Sequence, residues 1–544
     1  MALEGEGGRK PRIAARTVAA ALVLAGALSL SPARAEVPAD LFVMAMRIDD
    51  VISLDPAETF EFTGAEVSAN IYERLLYFAN DDVTRIEGGV AESWSVAADG
   101  RRYTFHIRPG MTFHSGNPVT AADAAYSLRR VIRLNLAPAF ILAQFGLSPD
   151  NVDSRIYAPD AETLVIETDR AYSPAFFYAC LTADVASIVD SKLVESHARD
   201  GDFGNAWLRT RSAGSGPFSL RVWKPNELII LDRFEKYWRG ASAMRTAFLR
   251  HIGEPGVQRL LLERGDIDVA RNLSPDQAAA IKERADMRLR FARKGALYYL
   301  ALNQKNEFLR RPEMRRAVKY LVDYEGIAGT ILRGQAAAHQ TIIPAGYFGV
   351  LEARPFALDS AKAKELLGPG GETRATITLD VRNSQSDLEI AQSIQATFAA
   401  AGIKVELVPG DGRQVLTKYR ARNHDLYYGR WGPDYQDPHS NAQAFAANPD
   451  NSDEGQVKTL AWRNAWDIPE LTRMTQEAVL ERDAEKRADL YREIQRRVLE
   501  DSPFVILYQE VDMAVERANV HGFVMGPAFD TVSYRGVTKS AAGN

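Results

Sequence analysis

The sequence predicts an α/β fold in about three structural units, and three observations predict it. The stretch from Ala375 to Val408 reads strand, helix, strand: "ATITLDV" and "IKVELV" flank "DLEIAQSIQATFAAAG", the alternation of layered α/β domains. The length of 544 residues corresponds to about three domains at roughly 100–200 residues each. Hydrophobic residues make up 46% and charged residues 25%, enough apolar surface for a large core without metals or disulfides.

The elements follow in chain order. "VTRIEGGVAESWSVAADGRRYTF" reads as turn, strand, a hairpin at Asp99-Gly100, then strand. In "RYTFHIR", Tyr103, Phe105 and Ile107 share one face, the alternation of a half-buried strand. Thr120 then stands as a helix N-cap, with Asp123 three residues on near the positive end of the helix dipole. "TLVIETD" (163–169) and "ELIILD" (227–232) are further strands. "RPEMRRAVKYLVD" carries Pro312 in its first turn, where proline is tolerated, and Met314, Val318 and Leu321 at helical spacing. The helix of "DLEIAQSIQATFAAAG" ends at Gly402, a natural C-cap. "AEKRADLYREIQRRVLED" places Leu490, Ile494 and Val498 on one stripe. The cluster "LLGPGGETRA" (366–375) marks a loop or a joint. No internal repeat or long linker separates the units, so they share chain crossings.

The first 35 residues read as a cleavable export signal. Arg9, Lys10, Arg12 and Arg16 precede the apolar run "TVAAALVLAGALSL", and "ARA" offers a cleavage site after Ala35. No Cys follows the run, so the expectation is a soluble periplasmic protein and not a lipoprotein. Its alternative is a short membrane anchor. The whole chain has net charge −5; residues 1–35 carry five basic and two acidic residues, a net of +3, which leaves −8 for the rest. An acidic chain is a poor general nucleic-acid binder. Cys180 is the single cysteine, so no internal disulfide forms. Its apolar neighbours mark it as a small buried hydrophobe.

Enzyme and cofactor motifs are missing. The sequence contains no P-loop, no G-x-S-x-G, no H-E-x-x-H and no C-x-x-C. The eight histidines are scattered, and none pair at metal-ligand spacing on one helix face. No cofactor, metal or catalytic residue is expected. His424 and His439 flank "WGPDYQDP" (Trp431–Pro438), which leaves a metal or a pH-sensitive role open there. That octapeptide itself combines two rings, two carboxylates and two prolines. A surface turn has no use for the rings, and a core strand has none for the acids.

Five stretches in order carry a resemblance. They are "LDPAETFEFTGAEVSANIYERLLYF" (54–78), "GGVAESWSVAADGRRYTFHIRPGMTFHSGNPVTAADAAYSLRRVI" (88–132), "GSGPFSLRVWKPNELIILDRFEKYW" (214–238), "LALNQKNEFLRRPEMRRAVKYLVDYEGI" (300–327) and "WGPDYQDP". Together they resemble the family 5 extracytoplasmic solute-binding proteins of peptide ABC importers, which include oligopeptide, dipeptide and nickel binders. The resemblance implies a two-lobed periplasmic binding protein fold with a hinge and an extra domain, three domains in all. Domain I maps to 36–70, 183–298 and 511–544; domain II, the extra domain on the first lobe, to 71–182; domain III, the second lobe, to 299–510. Hinge crossings are expected near Tyr299–Asn303 and Tyr508–Asp512. The implied partners are a peptide or peptide-like ligand and the permease subunits, with ATPases on separate chains. The implied protein is a monomer and not an enzyme.

In peptide-binding relatives the acid of this motif meets the ligand's α-amino group, and the matching residue is Asp434. A carboxylate in a closed cleft forms a strong charge-assisted hydrogen bond with an ammonium. Trp431 and Tyr435 offer apolar walls and cation–π faces, and Pro433 and Pro438 stiffen the loop. The bland alternative for Asp434 is a turn cap, which suits Asp437 better. Phe60 and Phe62 are candidate cleft rings. Tyr428 and Arg430 are candidate contacts; Arg430 either meets a carboxylate or points outward. Asn303 sits either at the hinge or in a turn. One departure stands out. Dipeptide-specific relatives carry an arginine in the segment matching "NSQSDLEIAQSIQ" (383–395), and this chain has none after Arg382. Longer peptides, or amine-bearing conjugates of opine type, fit better. The alternatives are a metal-chelate binder and a secreted hydrolase using Asp434 and Asp437 as paired carboxylates. The stretch "RLNLAPAFILAQFGLSPDNV" (133–152) reads as core, with a docking surface as its alternative.

Overall fold

The computed structural model describes residues 37–540 apart from 80–81, 282, 369–375 and 456. The expected signal segment and most of the 366–375 loop lie outside the described residues. One mixed sheet of eleven strands dominates the described chain. Its order runs from Phe218–Lys224 through Leu228–Arg233, Thr246–His251, Leu41–Met46 and Val269–Ala270 to Phe504–Arg517. It continues through Met287–Leu302, Leu426–Trp431 and Ile377–Arg382 to Val405–Gly410. Ala336–Ala338 adds a short strand beside Phe504–Arg517.

Two strands in this sheet are unusually long. Met287–Leu302 has 16 residues and Phe504–Arg517 has 14; a strand usually has about 3–10 residues. At roughly 3.3 Å per residue the longer one reaches about 50 Å, more than one core needs. Its two ends serve different cores. Met287 packs with Ile267 and Met513, whereas Leu297 to Leu302 join a second core with Ile377, Phe398 and Phe445. The antiparallel register between the two long strands slips between Arg293 and Leu297. A second slip lies between Tyr298 and Tyr299, at the edge of the expected crossing at Tyr299–Asn303; the first lies ahead of it, with Gln509–Val511 opposite. The reason is local. Lys294 is fully buried and turns its ammonium to the carbonyls of Met525, Gly526 and Ala528, at 2.5, 2.8 and 3.2 Å. Gly295 leaves no room for a Cβ beside Tyr347 and Pro433.

A third core belongs to a smaller four-stranded sheet, Ala91–Val96, Arg102–Ile107, Thr163–Glu167 and Ile156–Tyr157. Tyr103, Phe105 and Ile107 are its buried face. Gly100 turns the hairpin at φ 71°. Asp82–Gly88, expected as a turn, is a strand on Leu76–Ala79. Helix Ala121–Leu134 starts in a full capping box of Thr120 and Asp123. Ile141, Leu142, Phe145 and Leu147 of the apolar 133–152 stretch enter this core.

The second core shows two departures from the sequence pattern. Helix Pro312–Ala317 tightens into a 3-10 turn at Val318–Tyr320, though Met314, Val318 and Leu321 stay buried. In helix Ala484–Glu500 the inner stripe is Arg487, Tyr491, Ile494 and Val498. Leu490 is only partly buried, because a buried partner for the Arg487 guanidinium rotates the stripe by one position.

Candidate functional site

The strand Leu426–Trp431 delivers "WGPDYQDP" to a cavity of about 240 Å³. Its opposite wall comes from distant parts of the chain: Thr59–Phe62, Thr182–Val185 and Pro527–Asp530, with Pro138 and Ile141 from the apolar 133–152 stretch. Each wall is fixed locally. A turn at Asp55, closed by Thr59 N–H donating to the Asp55 carbonyl at 2.8 Å, aims Phe60 and Phe62. Asp55 is itself held by a buried ion pair with Arg130. The 525–528 loop hangs on Lys294, as above. Arg74 anchors Asp530 at 2.6 Å.

The two acids of the octapeptide have different surroundings. Asp437 is buried, accepts from the His439 N–H at 2.9 Å as cap of helix Pro438–Ala446, and pairs with buried Arg487 at 2.6 Å. Asp434 lines the cavity. Its backbone N–H donates to Ser440 Oγ at 2.8 Å, but its carboxylate accepts no hydrogen bond among the described residues. Burial pushes its pKa up to about 7, with only a modest opposing pull from Arg463. A carboxylate without a cation behaves this way when taken out of water.

The other predicted residues divide. Trp431, Tyr435, Arg430, Phe60 and Phe62 all line the cavity with Asp434. Tyr435 also reaches the core of the small sheet, 5.9 Å from Phe176. Arg430 meets a carboxylate and keeps about a third of its side chain exposed. It pairs with Glu510 at 3.0 Å and lies over Phe62 at 4.5 Å, and Phe62 stacks on Phe529 at 4.1 Å. Gly432 permits this, since a Cβ there would stand 3.0 Å from the Phe62 ring. Tyr428 does not line the cavity; it is buried and stacked on Tyr298. Asn303 lies outside the cavity as well. Its amide donates to the carbonyls of Arg422 and His424 at 2.9 and 2.8 Å, so it pins a turn. His424 and His439 are buried in separate surroundings and lowered to about 4 and about 3 by desolvation. His424 faces Asn464 and His439 faces Phe176. Cys180 is buried.

Sequence reasoning missed Tyr347, Asp184 and Phe529. Tyr347 donates to Gln436 of the octapeptide. Phe529 sits in "MGPAFD", a Gly-Pro turn carrying a ring, and that contrast was the available signal.

A cavity between chain-distant walls, lined by rings and by the Asp434 carboxylate that accepts no hydrogen bond among the described residues, suits a solute-binding protein. The chain belongs to the bacterial extracellular solute-binding proteins, family 5, whose Middle model matches residues 85–453. Over 528 residues it is 28% identical to the "Probable D,D-dipeptide-binding periplasmic protein DdpA" of Escherichia coli (strain K12), covering 96% of this chain and 98% of that one. The fold matches the Helicobacter pylori ABC transporter-associated periplasmic binding protein DppA, solved with the peptide STSA. The TM-score is 0.77 and the identity 22%, covering 92% of this chain and 98% of that one. It also matches AgaA from A. tumefaciens R10, solved with agropinic acid, at TM-score 0.75 and 22% identity, covering 92% and 99%. Among the described residues, no helix is long and apolar enough to cross a membrane.

Proposed function

We propose that this chain is the periplasmic binding component of an ABC importer and encloses a short peptide or peptide-like amine, with Asp434 receiving the amine. The observation that carries the reading is the bare carboxylate of Asp434 in the cavity wall. An ammonium supplies the missing partner, and the closed cavity strengthens the pair by excluding water. Trp431 and Phe60 give apolar walls. The cavity's 240 Å³ is below the ~300–1,000 Å³ of drug-sized ligand sites, which favours the smaller peptides and conjugates.

Three domains move as two lobes about the register breaks at Arg293–Leu297 and Tyr298–Tyr299 and the facing residues of the partner strand. Solute that touches both walls favours the closed form by its differential affinity for it. The permease reads closure; no bond is made or broken. Residues 1–35 direct export and are removed, and the protein acts as a monomer.

The test is mass spectrometry of small molecules released by denaturing the purified protein. Short compounds with a free amine support the reading. A metal chelate or an amine-free compound overturns it. The relative solved with agropinic acid makes a non-peptide amine the second reading, and the same measurement separates it from a peptide.

A further inference from the structure

Charges inside the cavity do not balance. Glu61, Asp184, Asp434 and Asp530 line it, and Arg430 is the one cationic side chain among the described residues that does. Arg430 already forms an ion pair with Glu510 at 3.0 Å and lies over the Phe62 ring at 4.5 Å. Arg74, outside the cavity lining, answers Asp530 at 2.6 Å and donates to the Thr182 carbonyl. Glu61, Asp184 and Asp434 are left without an ion pair among the described residues. Asp184 is 8% exposed and its Oδ2 accepts no hydrogen bond. Its surroundings are Arg74, Asp530, Ser68 and Ser187. Desolvation pushes Asp184 up to about 8 and also raises Glu61.

We infer that the cleft selects an amine-bearing solute of net positive charge, because among the described residues four acids line it against one cation, and that cation, Arg430, already has Glu510 as its ion-pair partner. This rests on the amine reading above. Peptide amides and esters, including those with a basic side chain, belong to the class. A zwitterion does not: its carboxylate would lose water and would face Asp434 and Glu61, neither of which has an ion pair among the described residues.

Calorimetric titration of the purified, exhaustively dialysed protein at pH 7.5 tests this with four probes. They are L-Ala-L-Ala, its C-terminal amide, L-Lys-L-Ala amide and N-acetyl-L-Ala-L-Ala amide. The amide binds roughly tenfold or more tighter than the free acid, since like charges facing one another are costly. The lysyl amide binds tighter still, and the acetylated probe does not register. A free acid that binds as well as its amide overturns the inference and leaves the amine reading standing. If none of the four registers, or the acetylated probe matches the free amine, the amine reading falls and the inference falls with it. Glu510→Gln provides a second arm, with a thermal melt to confirm folding. Releasing Arg430 narrows the gap between acid and amide. An unchanged gap in the folded variant shows that Glu510 does not silence Arg430, and overturns the argument.

Discussion

Asp434 and Asp437 stand three residues apart on one loop and have opposite fates. Asp437 has a buried guanidinium, a helix N-terminus and no solvent. Asp434 has a cavity and no partner. The difference teaches that residue type does not assign a role here; the partner does. An acid whose needs are met inside the fold holds the fold together. An acid whose needs are unmet is available for a solute.

The largest expected effect breaks the satisfied side. Asp437→Ala leaves Arg487 buried and unpaired, which costs about 3–5 kcal/mol, with roughly 1 kcal/mol more for the lost cap. Urea unfolding measures it; a loss under about 1 kcal/mol would erase the contrast between the two acids.

Asp434→Asn goes the other way for stability and removes binding. Its folded pKa lies at about 7 against 3.8 for the ordinary group. The native state therefore holds this proton after the unfolded chain has released it, and ligand-free stability declines as pH rises through that window. Asn removes the decline and gains roughly 1–2 kcal/mol at pH 7.5. The same change weakens L-Ala-L-Ala amide by about 2–4 kcal/mol. Because the carboxylate must be ionised to hold an ammonium, wild-type affinity rises between pH 5.5 and 7.5, and the Asn variant shows no such rise. A variant that melts lower and binds normally would make Asp434 a structural acid like its neighbour.

A smaller effect reads the lobes directly. Cys180, the single cysteine in the sequence, is buried close to Asp434, Asp437 and Arg487, on the helix whose Phe176 meets Tyr435. If the proposed opening of the cleft uncovers it, maleimide labelling slows roughly tenfold when L-Ala-L-Ala amide is bound, as expected for a site protected by closure. A rate indifferent to the probe would place the thiol away from any moving surface. The smallest effect is Ser440→Ala. It removes the acceptor of the Asp434 N–H, costs about 1 kcal/mol in stability, and weakens the same amide about threefold by loosening the loop. No change in affinity would show that the loop needs no such support.

Legibility in the sequence followed the range of the interactions. Thr120 and Asp123 announced their capping box, and Gly100 its turn, because each depends on neighbours a few residues away. Asp434, Trp431 and Phe62 were readable as misfits, polar and aromatic where a turn or strand needs one kind only. Tyr428, by contrast, looked like a site residue and is packed on Tyr298. Asn303, readable as hinge or turn, ties down a turn. Leu490 looked like core and yields that face to Arg487. In each case a partner more than three residues away in sequence or from another strand made the decision.

By itself the sequence determined the alternating elements, the family pattern and the stiff acid-bearing loop, since local periodicity, turn chemistry and residue spacing need no tertiary partner. Only the tertiary structure decided which acid stays bare, that Arg430 is already spoken for by Glu510 and Phe62, and where the long strands break register. Those outcomes depend on burial and on ion pairs between segments separated by tens to hundreds of residues, and no local pattern encodes them.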